Sequence, residues 1–152
     1  MADLWTPLQT AIHQMITSDP TFAALTDVNR KDGRGNTGPQ FYISFIPDWA
    51  TYPYATTPGD AVSSPWYEFS GRGGEEGVWP IHIWCDLDAG GPSKCRQVAS
   101  AVDAVLNGAN IEAVGWSPMK FSRVHSTQPM RQEGDPNLFH QVLRYHMMFY
   151  KV

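Results

Sequence analysis

The segment VWPIHIWCDLDAGGPSKCRQVASAVDAVLNG (residues 78–108) places a strand, a glycine-rich turn and a helix in succession. In 78–87 apolar and polar side chains alternate, as in a strand with one buried side. The apolar set is Trp79, Ile81, Ile83, Cys85 and Leu87, and the opposite set is His82, Trp84 and Asp86. From Pro92 to Leu106 the period becomes helical. Its apolar stripe is Cys95, Val98, Ala99, Val102, Val105 and Leu106, so we expect the helix to pack on the strand.

The turn between strand and helix, Gly90-Gly91-Pro92-Ser93-Lys94-Cys95, resembles a phosphate-binding loop in composition only. A P-loop has four residues between its first glycine and its Gly-Lys pair, and its backbone N–H groups surround the phosphates. Here the spacing is shorter, and Pro92 lacks an N–H group. We interpret the glycines as a turn and Pro92 as the start of the helix.

The flanking sequence contains further helices and strands with polar connections. We predict helices at 4–17 and briefly at 18–25, strands at 40–46, 119–125 and 138–150, and loops at 26–39 and 127–137. Helices and strands do not alternate, which predicts an α+β fold. The expected architecture is a mostly antiparallel sheet of about four strands with two main helices on one face. The whole chain, 1–152, is interpreted as one domain.

The stretch from 47 to 77 is rich in proline, glycine and aromatic residues, and it forms the predicted arm of the domain. One interpretation is a long hairpin, with short strands near 51–56 and 65–70, that packs on the body. The other is an extended arm that orders against a partner. Aromatic residues dominate protein interfaces, which predicts interface positions in the arm and on the strand. They are Trp49, Tyr52, Tyr54, Trp66, Tyr67, Phe69 and Trp84.

Candidate chemical sites are few. Cys85 and Cys95 are ten positions apart, which fits neither a redox nor a zinc motif, so we interpret both as buried thiols. Three histidines, His82, His140 and His146, would converge on a metal if strands 78–87 and 138–150 paired with those faces aligned. Sheet histidines more commonly have structural roles. We therefore predict no catalytic residue, no metal ligand and no cofactor, and the small metal-binding enzyme remains an alternative.

Bulk composition limits the partners. The net charge is −4 and the isoelectric point about 5.6, which disfavours binding to nucleic acid. The first residues lack the basic start and long apolar run of a signal peptide. We find no apolar run long enough to span a membrane. The sequence therefore predicts a protein made in a cytoplasm, with reduced thiols and without a membrane partner.

Three segments together resemble the tail completion (tail terminator) proteins of long-tailed phages and gene transfer agents. LWTPLQTAIHQMITSDPTFAAL (4–25) is similar to the family's first helix and the S-D-P motif after it. IHIWCDLDAGGPSKCRQVASAVDAVLNG (81–108) resembles its strand, turn and Ala/Val-rich helix. EGDPNLFHQVLRYHMMFY (133–150) resembles its acidic loop and last strand. Between Pro47 and Gly77 the chain departs from the family, whose members tend to be shorter there.

This resemblance implies an α+β virion protein without enzymatic activity. It implies a homo-oligomeric ring, commonly a hexamer, at the head-proximal end of the tail tube. Such a ring stops tube polymerisation and contacts both the tail tube protein and the head–tail connector. DNA passes through its lumen without specific binding, for which a mildly acidic chain is suited. A head–tail connector, adaptor or minor capsid protein is the alternative. The implied location is the virion, after assembly in the host cytoplasm.

Overall fold

The computed structural model describes residues 3–26, 38–57, 63–68 and 73–152, except the side chain of Met119. Most of the predicted loop at 26–39 lies outside these ranges, and so does the predicted interface residue Phe69.

Three helices are described, each within two residues of its predicted position. Helix α1 is Trp5–Thr17, the short helix α2 is Pro20–Thr26, and α3 is Gly91–Leu106. Both N-terminal helices begin beside an aspartate. Asp3 accepts the backbone N–H groups of Trp5 and Thr6 at 2.9 and 3.2 Å, and Asp19 accepts that of Phe22 at 2.8 Å. These carboxylates satisfy N–H groups that have no partner within the helix.

Seven strands form one mixed sheet in the described residues, not the predicted four or so. They are β1 Phe41–Ile43, β2 Tyr54–Thr57, β3 Ser63–Tyr67, β4 Gly73–Asp86, β5 Trp116–Ser126, β6 Met130–Gln132 and β7 Asp135–Lys151. The long strands β4 and β7 pair along thirteen residues and form the centre of the sheet. Strands β2 and β3 pair with the edge of β4 that faces away from β7. Strands β5 and β6 pair with the edge of β7 that faces away from β4. Among the strands that the structure describes, only β1 and β2 pair in parallel.

The 47–77 segment is not one hairpin made of its own two strands. Both β2 and β3 pair with β4, because β4 begins at Gly73 rather than at the predicted residue 78. Its first residues therefore form a hairpin with β3, the β3–β4 hairpin. Polar and glycine-rich sequence at 73–77 conceals this strand, since it does not alternate like the part that follows.

Two smaller predictions at the strand ends are wrong. The loop predicted at 127–137 contains β6, which pairs with the start of β7. Leu87, predicted on the buried side, is 49% exposed because β4 ends at Asp86. There the backbone N–H of Leu87 donates to the carbonyl of Asn137 at 2.9 Å, and the chain turns towards α3.

One hydrophobic core lies between the helices and one face of the sheet. Alternate residues of β4 and β7 enter it together with the predicted stripe of α3. Trp79 is fully buried and stacks on Trp5 of α1, with ring centroids 5.3 Å apart. Trp116 is also buried. Each large apolar side chain buried in this way contributes about 1.5–3 kcal/mol to folding. The core therefore takes three of the six tryptophans and leaves Trp49, Trp66 and Trp84 elsewhere.

Candidate functional site: two aromatic patches

The face of the sheet opposite this core is called the outer face. Because strand residues alternate, it carries the even-numbered positions of β4 and β7. They include Val78, Pro80, His82, Trp84, His140, Val142, Arg144 and His146. Most are half-buried, so a mixed polar and aromatic surface covers this side of the molecule.

A histidine pair lies at one end of the outer face. Nδ1 of His82 and Nε2 of His140 are 2.7 Å apart, and the two rings are 14° from parallel. The Trp84 indole stacks on the His140 ring, with centroids 3.9 Å apart and planes 4° apart. The antiparallel register causes this arrangement, because Trp84 faces His140 directly and His82 is two residues further along β4. The surroundings lower the pKa of both imidazoles and so favour their neutral form.

Burial accounts for that neutrality. It lowers the pKa of His140 from 6.5 to about 4, with a further contribution from His82. Burial also lowers the pKa of His82, and the positive charge of Arg144 adds to the effect. Desolvation disfavours the imidazolium form, and a nearby positive charge disfavours it further.

A ladder of aromatic rings continues from this pair across β2 and β1. Tyr54, opposite Trp84 in the register, stacks on Tyr52 at 5.1 Å and meets the edge of Tyr42 at 5.8 Å. The Trp49 ring packs edge-on against Tyr42 at 6.0 Å. Tyr54 itself is buried, and burial raises its pKa. This group of rings, with Trp84 and the histidine pair, is called the upper patch.

Gln40 holds the upper patch in place through side-chain hydrogen bonds. The sequence analysis did not identify this residue. Its side-chain amide donates to the Thr26 carbonyl at 2.8 Å, and its Oε1 accepts the Thr51 N–H at 3.0 Å and the Tyr42 hydroxyl at 3.1 Å. Gln40 is fully buried. A buried amide that is satisfied on both sides fixes its surroundings. A glutamine directly before an apolar strand was the only signal in the sequence.

The remaining described interface residues lie at the other end of β4. Trp66 of β3 packs against Tyr150 of β7 at 5.7 Å, and Tyr67 is 71% exposed. These three residues are called the lower patch. Trp66 pairs with Gly74, whereas Tyr54 pairs with Trp84, ten residues further along β4. At about 3.3 Å per residue, the two patches are about 33 Å apart. The predicted interface residues therefore form two surfaces, with Phe69 outside the described residues.

The three histidines considered for a metal do not converge. His146 is opposite Val78, whereas His82 is opposite Val142, four residues along β7 and about 13 Å away. The His146 Nε2 atom instead contacts Oε1 of Glu76 at 2.7 Å. Within the described ranges, no group of three or more His, Cys, Asp or Glu side chains has a metal-binding arrangement.

The cysteines and the glycine turn agree with their structural interpretation. Cys85 and Cys95 are free and fully buried, and burial raises the pKa of their thiols to about 11 and about 12. Gly90 and Gly91 have φ angles of 122° and 63°, a region that L-residues rarely adopt, and Gly91 is also the first residue of α3. Among the described residues, no helix is both long and apolar enough to cross a membrane.

Comparison with known proteins identifies the family. The profile of the tail completion protein gp17 family matches residues 10–150, nearly the whole chain. No curated protein matches at a significant level. A chain from the virion of a native gene transfer agent particle has a similar fold, with a TM-score of 0.79 at 18% identity over 99% of both chains. A second solved structure has a TM-score of 0.58 at 16% identity over 96% of both chains. The chain therefore belongs to the tail completion protein gp17 family and is a structural protein of the phage tail.

Proposed function

We propose that this chain is the tail terminator subunit, whose copies form a closed ring, six-fold by family resemblance, at the head-proximal end of the tail tube. The ring stops tube polymerisation and joins the tail to the head connector. The observation that carries the proposal is the family match over residues 10–150. The similar fold of a chain in a gene transfer agent virion supports it.

The separation of the two aromatic patches suits such a subunit. A ring subunit contacts its neighbours through one set of surfaces and its partners along the axis through another. We assign the upper patch, with Trp49, Tyr52 and Trp84 around the buried Tyr54, to the tail tube or the connector. We assign the lower patch, with Trp66 and Tyr67, to the neighbouring subunit. Phe69 is close to the lower patch in sequence and belongs to the same proposal.

We further propose that the subunit acts by binding alone. The groups with clearly shifted pKa values are structural in their contacts. The thiols are buried in the core, Tyr145 donates to Asp103, and the histidine pair is stacked under Trp84. Each contact stabilises a protonation state within the fold instead of presenting a reactive atom to a substrate.

Tube length is the measurement that tests termination. Purified tail tube protein is polymerised with increasing amounts of this chain, and tube lengths are measured by negative-stain electron microscopy. A terminator is expected to shorten the tubes in proportion to its concentration and to cap one end only. A head-side adaptor, the alternative function, would leave the lengths unchanged and bind the connector, and this result would overturn the proposal.

Point substitutions are better suited to this assay than deletion of 49–69. That deletion removes β2 and β3, and with them Ala55 and Thr57, which are almost fully buried. It would therefore damage the sheet as well as the proposed contacts. Trp49→Ala is the sharper change, because it removes one half-buried ring from the upper patch. Its matched control is Val114→Ala, which truncates an 89% exposed side chain outside both patches.

A further inference from the structure

We propose that the β3–β4 hairpin of one copy docks into a hollow beside β5 of the next copy, and that this contact repeats around the ring. The inference rests on the proposed function and names the two surfaces that meet between neighbours. The partner is a second copy of this chain.

The hollow lies where the end of α3 meets β5. The 108–110 turn lines it together with Pro118, Lys120 and Ser122, and its volume is about 350 Å³. A cavity of about 150 Å³ is enough to hold a benzene molecule. The hollow therefore has room for an aromatic side chain. Lys120 is exposed, so the positive charge at this site is accessible to a partner.

The hairpin presents such a side chain. Tyr67 ends β3 and is 71% exposed, although an aromatic ring of this size usually gains from burial. It lies opposite Gly73, next to the half-buried Trp66. Tyrosine and tryptophan are the residues that most often dominate a protein interface, so the end of β3 has the composition of a docking element.

The two edges carry opposite charge. Residues 63–77 contain three glutamates and one arginine, a net charge of −2, whereas residues 116–126 contain one lysine and one arginine, a net charge of +2 with His125 neutral. Contacts within the subunit already compensate part of these charges, since Arg123 pairs with Asp103 at 3.0 Å and Glu76 contacts His146. Lys120 on one edge and Glu75 on the other have no ion pair with the described residues. Opposite charges across an interface steer association and fix its register.

The β4 half of the hairpin shares rows of the ladder with the hollow on the opposite edge of the sheet, and Tyr67 lies two rows from Pro118. Along the ladder, Glu75 of β4 faces Phe149 of β7, which faces Pro118 of β5. Glu76, Met148 and Lys120 form the next row. A contact between the two edges therefore relates neighbouring copies by rotation with little shift along the strands. Such an operation closes into a ring, whereas a shift at every step would produce a helical filament.

The outer strands favour contact through side chains over the addition of one sheet to another. Strand β3 has Pro65 at its centre. Strand β5 contains Pro118 and has two register shifts, between Pro118 and Lys120 and between Arg123 and His125. Proline and bulges interrupt the backbone groups that a further strand would need. A tyrosine inserted into a hollow does not need those groups.

Two variants and their mixture test the contact by native mass spectrometry over a range of concentrations. Tyr67→Ala removes the aromatic side chain at the end of β3, and Lys120→Glu reverses the charge at the hollow. Each variant alone is expected to form no ring and to remain monomeric, because every contact between two of its copies includes either an altered hairpin or an altered hollow. Mixed together they retain one intact hairpin and one intact hollow per pair, so we expect a 1:1 heterodimer that does not grow further. Tyr67→Phe and the distant Arg96→Glu should both keep the ring.

The possible outcomes separate the inference from the proposed function. If the unaltered protein forms a ring and both variants do so as well, the docking contact is wrong while the terminator proposal stands. If both variants are monomeric and folded but give no heterodimer, the hairpin and the hollow do not meet each other. If the unaltered protein stays monomeric at every concentration, both proposals fail. Thermal unfolding checks that the variants are folded, since substitutions at exposed positions of this kind usually change stability little.

Discussion

His82 and His140 are hydrogen-bonded through Nδ1 of the first and Nε2 of the second, which are 2.7 Å apart on neighbouring strands. One nitrogen must donate and the other accept, so the bond requires that at least one of these two atoms is unprotonated. Trp84 covers His140 from one side and restricts its solvation. The pair thus joins β4 to β7 in its neutral form, and full protonation breaks the bond.

Acid should destabilise the protein through this pair. The pKa of His140 falls from 6.5 to about 4 in the folded state, and that of His82 is also lowered. Between these pH values the unfolded chain binds more protons than the folded chain, so the free energy of unfolding decreases as the pH falls from about 6.5 to about 4. Urea unfolding at closely spaced pH values measures that slope.

Substitution of one member tests the source of the slope. His140→Phe retains a ring for Trp84 to stack on but removes a titrating group, so stability should depend less steeply on pH in this window. His125→Phe, at an exposed position of β5, is the matched control and should leave the slope unchanged. Equal slopes in His140→Phe and the unaltered protein would show that other groups cause the acid sensitivity.

The Gln40 hub should be important for stability. Gln40→Leu leaves the buried Thr26 carbonyl and the part-buried Thr51 N–H without their partner. A buried group left unsatisfied costs about 1–3 kcal/mol, so the Thr26 carbonyl should lower the free energy of unfolding by about that amount. Gln97→Leu, on the exposed side of α3, is the control. A loss of the same small size in both variants would contradict the role of the hub.

Sequence patterns predicted the parts of this fold in which burial alternates. Trp79, Ile81 and Ile83 of β4 and the stripe of α3 are buried as expected, except that Val105 is half-buried. The sequence did not predict which strands pair with which, because the register depends on contacts across the whole sheet. The β3–β4 hairpin was missed because two glycines and two glutamates at 73–76 do not alternate. The contact between His82 and His140 depends on the register of β4 and β7. The separation of the two patches depends on the full length of β4. Neither quantity could be read from the sequence.

The Tyr145 hydroxyl should contribute measurably to stability. It donates to Oδ1 of Asp103 at 2.9 Å, while Arg123 binds the other oxygen at 3.0 Å, so one carboxylate joins β7, α3 and β5. Tyr145 is fully buried. A hydrogen bond to a charged group contributes about 1.5–3 kcal/mol, and Tyr145→Phe should lose about that amount in chemical unfolding. The exposed Tyr67→Phe serves as the control, and equal stability of the two variants would contradict the prediction.

Both cysteines should be unreactive in the folded protein. Burial raises the pKa of Cys85 to about 11 and that of Cys95 to about 12, so the reactive thiolate is scarce at pH 8. With 5,5′-dithiobis-nitrobenzoate we expect no release of colour within the time in which denatured protein reacts completely. Rapid reaction of one thiol under native conditions would show that the core opens beside it.

The interrupted outer strands have a consequence for the timing of assembly. A continuous backbone edge would join two colliding copies along many hydrogen bonds, and such a pair separates slowly even when it is wrongly aligned. Pro65, Pro118 and the bulges of β5 shorten any such match. Two copies that meet in the wrong orientation can therefore dissociate and bind again in another orientation. Reversible encounter lets a small subunit sample many orientations and remain only where several contacts form together.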